Sequence, residues 1–323
     1  MPYAVSNSFV GLGIEGTRGS VASTFKWIPV TNPQVTPNQT FLRDEALRGS
    51  PVTTYDHVEG VVHTEYDANF YLYADTFPIL VRGILGGTDT ITPVSSKYSH
   101  LIKLLNDNTS GSQPPSLSIK DFDGVNAFQI LGNQMSTLNL KFGAEAASEV
   151  TTKFVGNDFT SISTPTSPSI STESFVPGWN VTTSIGGTAY NYVAEGEINI
   201  ERSAAPIFTG GQQGPRVNFA GPIAVTGRLM LVTDTNADPF MLGSTRYGLD
   251  RNAIPVVITF TDPVTSDTIA VTMTATQFHD PKHSRGKAYV ETEVSFTANA
   301  NATDATSGYS PIQITTVNSI PSY

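Results

Sequence analysis

"VEGVVHTEYDANFYLYADTFPIL" (residues 58–80) and "FAGPIAVTGRLMLVTDTNADPFML" (residues 219–242) decide how this chain divides. Aligned on Gly60 and Gly221, they also superpose Pro78 on Pro239, both pairs lying 161 positions apart. A second pair of segments follows in the same order. "PPSLSIKDFDGVNAFQIL" meets "IPVVITFTDPVTSDTIAV", with Pro114 and Pro255, Asp121 and Asp262, Phe128 and Ile269 each 141 apart. Glu149 and Phe154 then meet Glu291 and Phe296 at 142. Three blocks in one order are the mark of an internal repeat. The spacing falls by about 20 between the blocks because the first copy has a longer connection, Ser95–Asp107, where the second has only "GSTRYGLDRNA". A Ser/Thr/Pro stretch, "TSISTPTSPSISTES", separates the copies and has linker composition. The expected division is therefore residues 1–160, a linker at 161–175 and residues 176–323. The alternative is one nine- or ten-strand sandwich whose hairpins resemble each other by chance.

Period-2 alternation fills both halves. "GEINIER" sends Ile198 and Ile200 one way and Glu197, Asn199 and Glu201 the other. "YVETEVSF" separates Val290, Thr292, Val294 and Phe296 from Glu291, Glu293 and Ser295. Such segments read as antiparallel strands with one buried and one wet face, so the expected class is mainly β. One short helix is expected near residues 95–107, "SSKYSHLIKLLND", where Tyr98, Leu101, Ile102 and Leu105 recur at helical spacing behind a capping serine.

Composition narrows the function. Only 14% of residues are charged and the net charge is -10, a poor match to a phosphate backbone. There is no cysteine, which removes disulfides, thiol catalysis and thiolate metal sites. The N-terminus, "MPYAVSNSF", has no secretory pattern, and the longest apolar passage, "FPILVRGILGG", is too short to span a bilayer. No membrane partner is expected.

Motifs that could carry chemistry fail in context. "VGLGIEGTRG" (residues 10–19) spells Gly11-x-Gly13-x-x-Gly16, but prolines and β-branched residues follow where a dinucleotide site needs a helix. "FHDPKH" sets His279 and His283 four apart, with Pro281 between them forbidding the helix that would align them on zinc, so a polar hairpin turn is expected. "DTNAD" opens like a calcium loop, but Pro239 holds the glycine position and Thr245 that of the bidentate acid. Neither a catalytic constellation, a cofactor nor a metal is expected. Trp27, Trp179 and "NFYLY" leave a carbohydrate-binding module open as an alternative.

The N-terminal "GLGIEGTRGSVASTFKWIPVTNPQVTPNQTF…EALRGS" resembles the opening of the major tail, or tail tube, proteins of long-tailed, non-contractile bacteriophages. Gly11, Gly13, Glu15, Thr17 and Gly19 carry the match, followed by Pro29 and Val30. "AYNYVAEGEINIERSAAPIF", "GPIAVTGRLMLV" and "YVETEVSFTANANATD" are similar to that family's second half.

The resemblance implies tail-tube-type β-sandwich or split-barrel domains, here two in tandem with a short flanking helix. It implies a structural virion protein, assembled in the host cytoplasm, whose rings stack into the conduit for DNA. Another ring-forming tail or baseplate component of the same fold is the alternative within the class. A chain with two copies would close as a trimer with pseudo-sixfold symmetry, and a single-copy chain as a hexamer. Implied partners are the chain itself, a tape-measure protein, and tail-tip initiator and terminator proteins; DNA passes without specific binding. The two long loops would make stacking contacts through Arg43, Asp44, Glu45, Arg48 and Tyr55 in one, and Arg202, Gln212 and Arg216 in the other. The glycine-rich opening would be flexible backbone in an N-terminal arm. Glu197, Glu201, Glu291 and Glu293 either face the lumen, where negative charge repels phosphates, or are ordinary solvent-facing residues.

Overall fold

A computed structural model of the chain describes residues 7–106, 111–165, 168–233, 253–286 and 289–323. The first half runs β1 (Phe9–Ile14), β2 (Lys26–Ile28), β3 (Asn32–Asp44), β4 (Asp56–Tyr71), α1 (Phe77–Leu85), β5 (Thr90–Val94), β6 (Lys97–Lys103), β7 (Leu117–Phe122), β8 (Ala127–Gly143), β9 (Glu149–Gly156) and β10 (Thr160–Ile162). The second runs β11 (Val181–Ile185), β12 (Thr188–Tyr190), β13 (Val193–Ile207), β14 (Val217–Val232), β15 (Ile254–Thr261), β16 (Thr268–Ser284), β17 (Glu291–Ala298) and β18 (Gln313–Asn318). The molecule is mainly β, as the alternation predicts.

Ladders of the first half recur in the second. The pairs β1·β7, β3·β4, β4·β9, β7·β8, β8·β9 and β8·β10 are matched by β11·β15, β13·β14, β14·β17, β15·β16, β16·β17 and β16·β18. Even an irregularity repeats. The β3·β4 register shifts between Gln39 and Phe41, and the β13·β14 register between Arg202 and Ala204. Opposite each bulge stands a glycine of the aligned blocks. A Cβ on Gly60 would fall 2.3 Å from Thr40 Oγ1, and one on Gly221 would fall 2.3 Å from Ser203 Oγ. Only glycine lets the hydroxyl fold over the partner strand there.

Two ladders join the halves, β6·β18 and β8·β13. β8 pairs with β13 from Thr137↔Glu201 to Gly143↔Glu195, so β3–β4–β9–β8–β13–β14–β17–β16 is one continuous antiparallel sheet. The apolar core also runs through this junction, with Phe142 and Phe260 ring centroids 5.5 Å apart, edge to face. The Ser/Thr/Pro stretch is held to both sides rather than looping free. β10 pairs with β8, Val176 is buried with its N–H on Leu72 O at 2.9 Å, and the Ser174 hydroxyl donates to Asp262.

The helix lies elsewhere than the sequence suggests. Residues 97–103 form β6, zipped between β5 and β18. Buried His100 pins it, with Nδ1 2.8 Å from Asp89 and Nε2 2.8 Å from the Ile320 carbonyl. The spacing of Tyr98, Leu101 and Ile102 fits a helix, but two neighbouring strands decide the backbone. The helix is α1, inside the apolar "FPILVRGIL" segment. Pro78 sits in its first turn and Gly86 closes it, donating its N–H to Arg82 O. Every residue of α1 except Arg82 is buried, so no polar stripe betrays it in the sequence. What lengthens the first copy's connection is therefore the β5–β6 hairpin. The corresponding part of the second copy, with "DTNAD", lies outside the described residues.

The "HDPKH" segment is not a turn: β16 runs through it with a bulge between His279 and Lys282, Asp280 taking φ 52°. Among the described residues no group of His, Asp or Glu is arranged to hold a metal.

The opening glycine motif is also not a free arm. β1 lies between β2 and β7, and Gly11 gives the Trp27 ring its place: a Cβ there would stand 2.7 Å from the ring. Glu15 is buried and accepts from Gly19 N (2.6 Å), Ser116 Oγ (2.6 Å), Ser118 Oγ (3.0 Å) and Gly132 N (2.8 Å). One carboxylate thus satisfies donors from its own turn and from two distant segments. Glu15→Ala strands all four in the interior, and chemical denaturation should show a loss of about 3 kcal/mol or more.

Glu173, in the linker, is held near Asp75, Asp262 and Asp267. Burial first, then these carboxylates, push it up to about 7, with Lys26 opposing. A raised carboxyl favours the protonated folded state. Its contribution is complete below its ordinary value and is lost as pH rises through about 7. Glu173→Gln should therefore raise the melting temperature at pH 8 and leave it unchanged at pH 4, as scanning calorimetry at the two pH values reads directly.

Candidate assembly surfaces

The eight-stranded sheet buries one face against the core and leaves the other wet, and the registers arrange the wet residues in rows. One row reads Tyr71–Glu149–Lys141–Glu197–Arg228–Ser295, acid and base alternating through its middle. The next reads Asn69–Thr151–Asn139–Asn199–Thr226–Thr297 and has no charge. Beyond it lie Asp67, Lys153, Thr137 and Glu201. On the opposite flank Glu195, Met230, Glu293 and Lys282 stand in line.

Each base on these rows has an acid beside it. Arg228 Nε lies 2.9 Å from Glu197, which also accepts from Asn139 at 2.8 Å. Burial alone would push the Glu197 carboxyl up, but the Asn139 and Arg228 contacts outweigh it and leave it below the ordinary glutamate value. Lys153 Nζ is 4.0 Å from Asp67, Lys141 is flanked across the strands by Glu149 and Glu197, and Lys282 faces Glu293. The face is acidic in balance and offers a polyanion no cluster of unpaired bases.

Of the four glutamates singled out by alternation, Glu197, Glu201 and Glu293 belong to this face. Glu201 is exposed and accepts from Asn199 at 2.6 Å, and Glu293 is half-buried beside Lys141 and Glu195. Glu291 differs. It is at the start of β17, paired on both sides with Val232 and Ser284, and only 5% exposed, so alternation placed it on the correct side but not in solvent.

The two long hairpins diverge. β3 and β4 carry Arg43, Asp44, Glu45, Arg48 and Tyr55 out into solvent. Arg48 pairs with Asp44 and lies over the Tyr55 ring at 5.1 Å, while Tyr55 N donates to Asp44 O at 2.8 Å. Phe41, Leu42, Leu47, Val52 and Val58 are exposed along the same hairpin, Leu47 completely. The β13–β14 loop instead folds back on β4. Gln213 donates through its side-chain Nε2 to Gly60 O at 2.8 Å, and its backbone carbonyl accepts from Val62 N at 3.2 Å. Gln212 and Arg216 are exposed on that loop.

Arg202 does not stand in a stacking loop. It is buried, with Nε, Nη1 and Nη2 donating to the carbonyls of Gly221 (3.0 Å), Ile84 (2.9 Å) and Ser112 (3.1 Å). Burial lowers it to about 10. Along β13 Arg202 shares the parity of Ile198 and Ile200 and turns to the core; what the sequence hides is that three backbone acceptors wait there, one at the end of α1. The aromatic run offers no platform either, since Phe70 is buried and Tyr71 points the other way.

The sequence model of phage tail tube proteins matches residues 5–298. The chain belongs to the phage tail tube protein family. No curated protein sequence matches it. A tail tube protein is a structural part of the virion tail that assembles with itself, and with other tail proteins, into a tube. The long open sheet and exposed hairpin fit that role, and the family is not normally enzymatic. No helix among the described residues is long and apolar enough to cross a membrane.

Arg202 ties this tail tube protein's second hairpin to the first half. Arg202→Met removes the donors from two buried carbonyls and one half-buried one, so urea denaturation should show a loss of about 2–4 kcal/mol.

Proposed function

We propose that this tail tube chain supplies two tube modules, residues 1–160 and 176–323 with the 161–175 strap between, and that three chains close a ring of pseudo-sixfold symmetry. The observation that carries this reading is the recurrence of six ladders and one bulge in the same chain order, with β8·β13 joining the two sets edge to edge. A module that already joins a neighbour through a sheet edge repeats that step naturally around an axis, and a rotation that closes gives a ring. Stacked rings would then form the conduit, built in the host cytoplasm around a tape-measure protein between an initiator and a terminator.

The wet face of the continuous sheet is the wall of the lumen in this reading, with Glu197, Glu201 and Glu293 exposed to the passing DNA. Its support is electrostatic. Bases paired to acids give phosphates no foothold, and the acidic excess repels them weakly at physiological salt, where the screening length is about 8 Å. The uncharged row through Asn139, Asn199 and Thr226 lowers local friction further by presenting dipoles without net charge. DNA would slide without specific binding.

Negative-stain microscopy of the purified protein is the test. Hollow cylinders should lengthen with concentration, and averaged end views should show three copies per ring. Six copies per ring would overturn the trimer, and monomers at every concentration would remove autonomous tube growth.

A further inference from the structure

We propose that Pro33, Pro37 and Pro281 restrain assembly: they weaken the seam at which residues 32–38 of β3 meet residues 281–286 of another copy, so single chains stay apart until ring and stack form together. This restraint rests on the ring reading above, and it goes beyond it by assigning a reason why the closing edges do not join unaided.

The internal junction supplies the register. β3·β4 sets Val35 against Tyr66, and β4·β9 sets Tyr66 against Phe154; β13·β14 sets Ile198 against Gly227, and β14·β17 sets Gly227 against the aligned Phe296. Val35 is therefore the counterpart of Ile198. Likewise β8·β9 sets Lys141 against Glu149 and β16·β17 sets Ser284 against the aligned Glu291, so Ser284 is the counterpart of Lys141. Within the chain, β8·β13 joins Glu197 to Lys141 and Ile198 to Leu140. Between copies the same step joins Gln34 to Ser284 and Val35 to His283. Both edges lie open to it: among the described residues, positions 32–38 pair as a strand with β4 alone, and positions 282–284 with β17 alone.

The backbone of this seam differs from that of the internal one. A proline keeps its place in a ladder only where its nitrogen faces away from the partner strand. The β3·β4 register runs unbroken through Pro33 and Pro37, so both nitrogens face the open edge, with only the Val35 N–H between them. In the internal junction the corresponding facing pairs are Gly196↔Phe142, Ile198↔Leu140 and Ile200↔Leu138. Each can exchange two backbone hydrogen bonds. Their counterparts are Pro33↔Arg285, Val35↔His283 and Pro37↔Pro281. Three of the six donors are gone, and the last pair has none. Side chains weaken the seam too: Ile198 and Leu140 are completely buried, whereas Val35 is half-buried and His283 exposed.

Proline on an edge strand blunts uncontrolled pairing. Here it thins the ladder without abolishing it, so one seam does not hold two chains together. A closed ring gives every chain two seams at once, and the last forms at the high effective concentration of chains already joined. Assembly then has a sharp threshold.

The full-length double variant Pro33→Thr/Pro37→Thr restores two edge donors and is compared with wild type by sedimentation and negative-stain microscopy over a concentration series. Hollow cylinders of wild-type diameter should appear at a concentration at least tenfold lower. An unchanged or higher threshold, or amorphous precipitate in place of cylinders, would overturn the restraint. The seam itself is read with cysteine, which the native chain lacks. Gln34 and Ser284 are exposed and form a non-hydrogen-bonded pair, whose side chains lie close. Gln34→Cys and Ser284→Cys single variants, co-assembled and oxidised, should give a disulfide-linked dimer. The yield should fall at least tenfold when Val264→Cys, exposed on another turn, replaces Ser284→Cys. This pair alters only exposed side chains, so it decides the matter even where the proline variant fails to fold. Rings without the 34–284 disulfide would overturn the proposal and leave the ring reading intact. Monomers of wild type and of every variant at all concentrations would overturn both.

Discussion

An exposed sheet edge is the constraint on which the rest of this structure depends. Backbone N–H and C=O groups along a strand need partners, and a long, flat edge recruits them. Here β8 and β13 satisfy each other across the middle of the chain and turn two sets of hairpins into one surface. That junction fixes the common direction of the wet faces, aligns their charges in rows, and forces the core to run continuously past Phe142 and Phe260. Everything assigned to assembly follows from what this junction pairs and from what it leaves available.

Buried polar groups hold the arrangement in register. Glu15 collects donors from β7 and the residue before it, from β8 and from its own turn, while Arg202 gives its three donors to carbonyls in β14, in the last turn of α1 and in the loop before β7. Each is a single charged side chain doing what several neutral contacts would otherwise do, and neither has an equivalent among the described residues of the other half. The two halves are therefore alike in ladders but not in fastening.

The contrast between the hairpins has the same origin. One loop carries a glutamine that reaches a neighbouring backbone and is seated on folding. The other carries leucine, valine and phenylalanine into water and gains no internal burial.

The sequence by itself determined the β class, the order of the repeated blocks, the side on which each alternating residue lies, and the family that Gly11, Glu15 and Gly19 resemble. These are local or periodic properties, written in spacing. It misplaced the helix because α1 is apolar on every face and β6 happens to match helical spacing; only β5 and β18, one of them more than 200 residues away in sequence, make Lys97–Lys103 a strand. It placed Arg202 and Glu291 at the surface because charge is normally solvated, and only the tertiary structure brings the carbonyls of Ile84, Ser112 and Gly221 to the guanidinium. Long-range pairing decides such positions, and no window of sequence contains both partners.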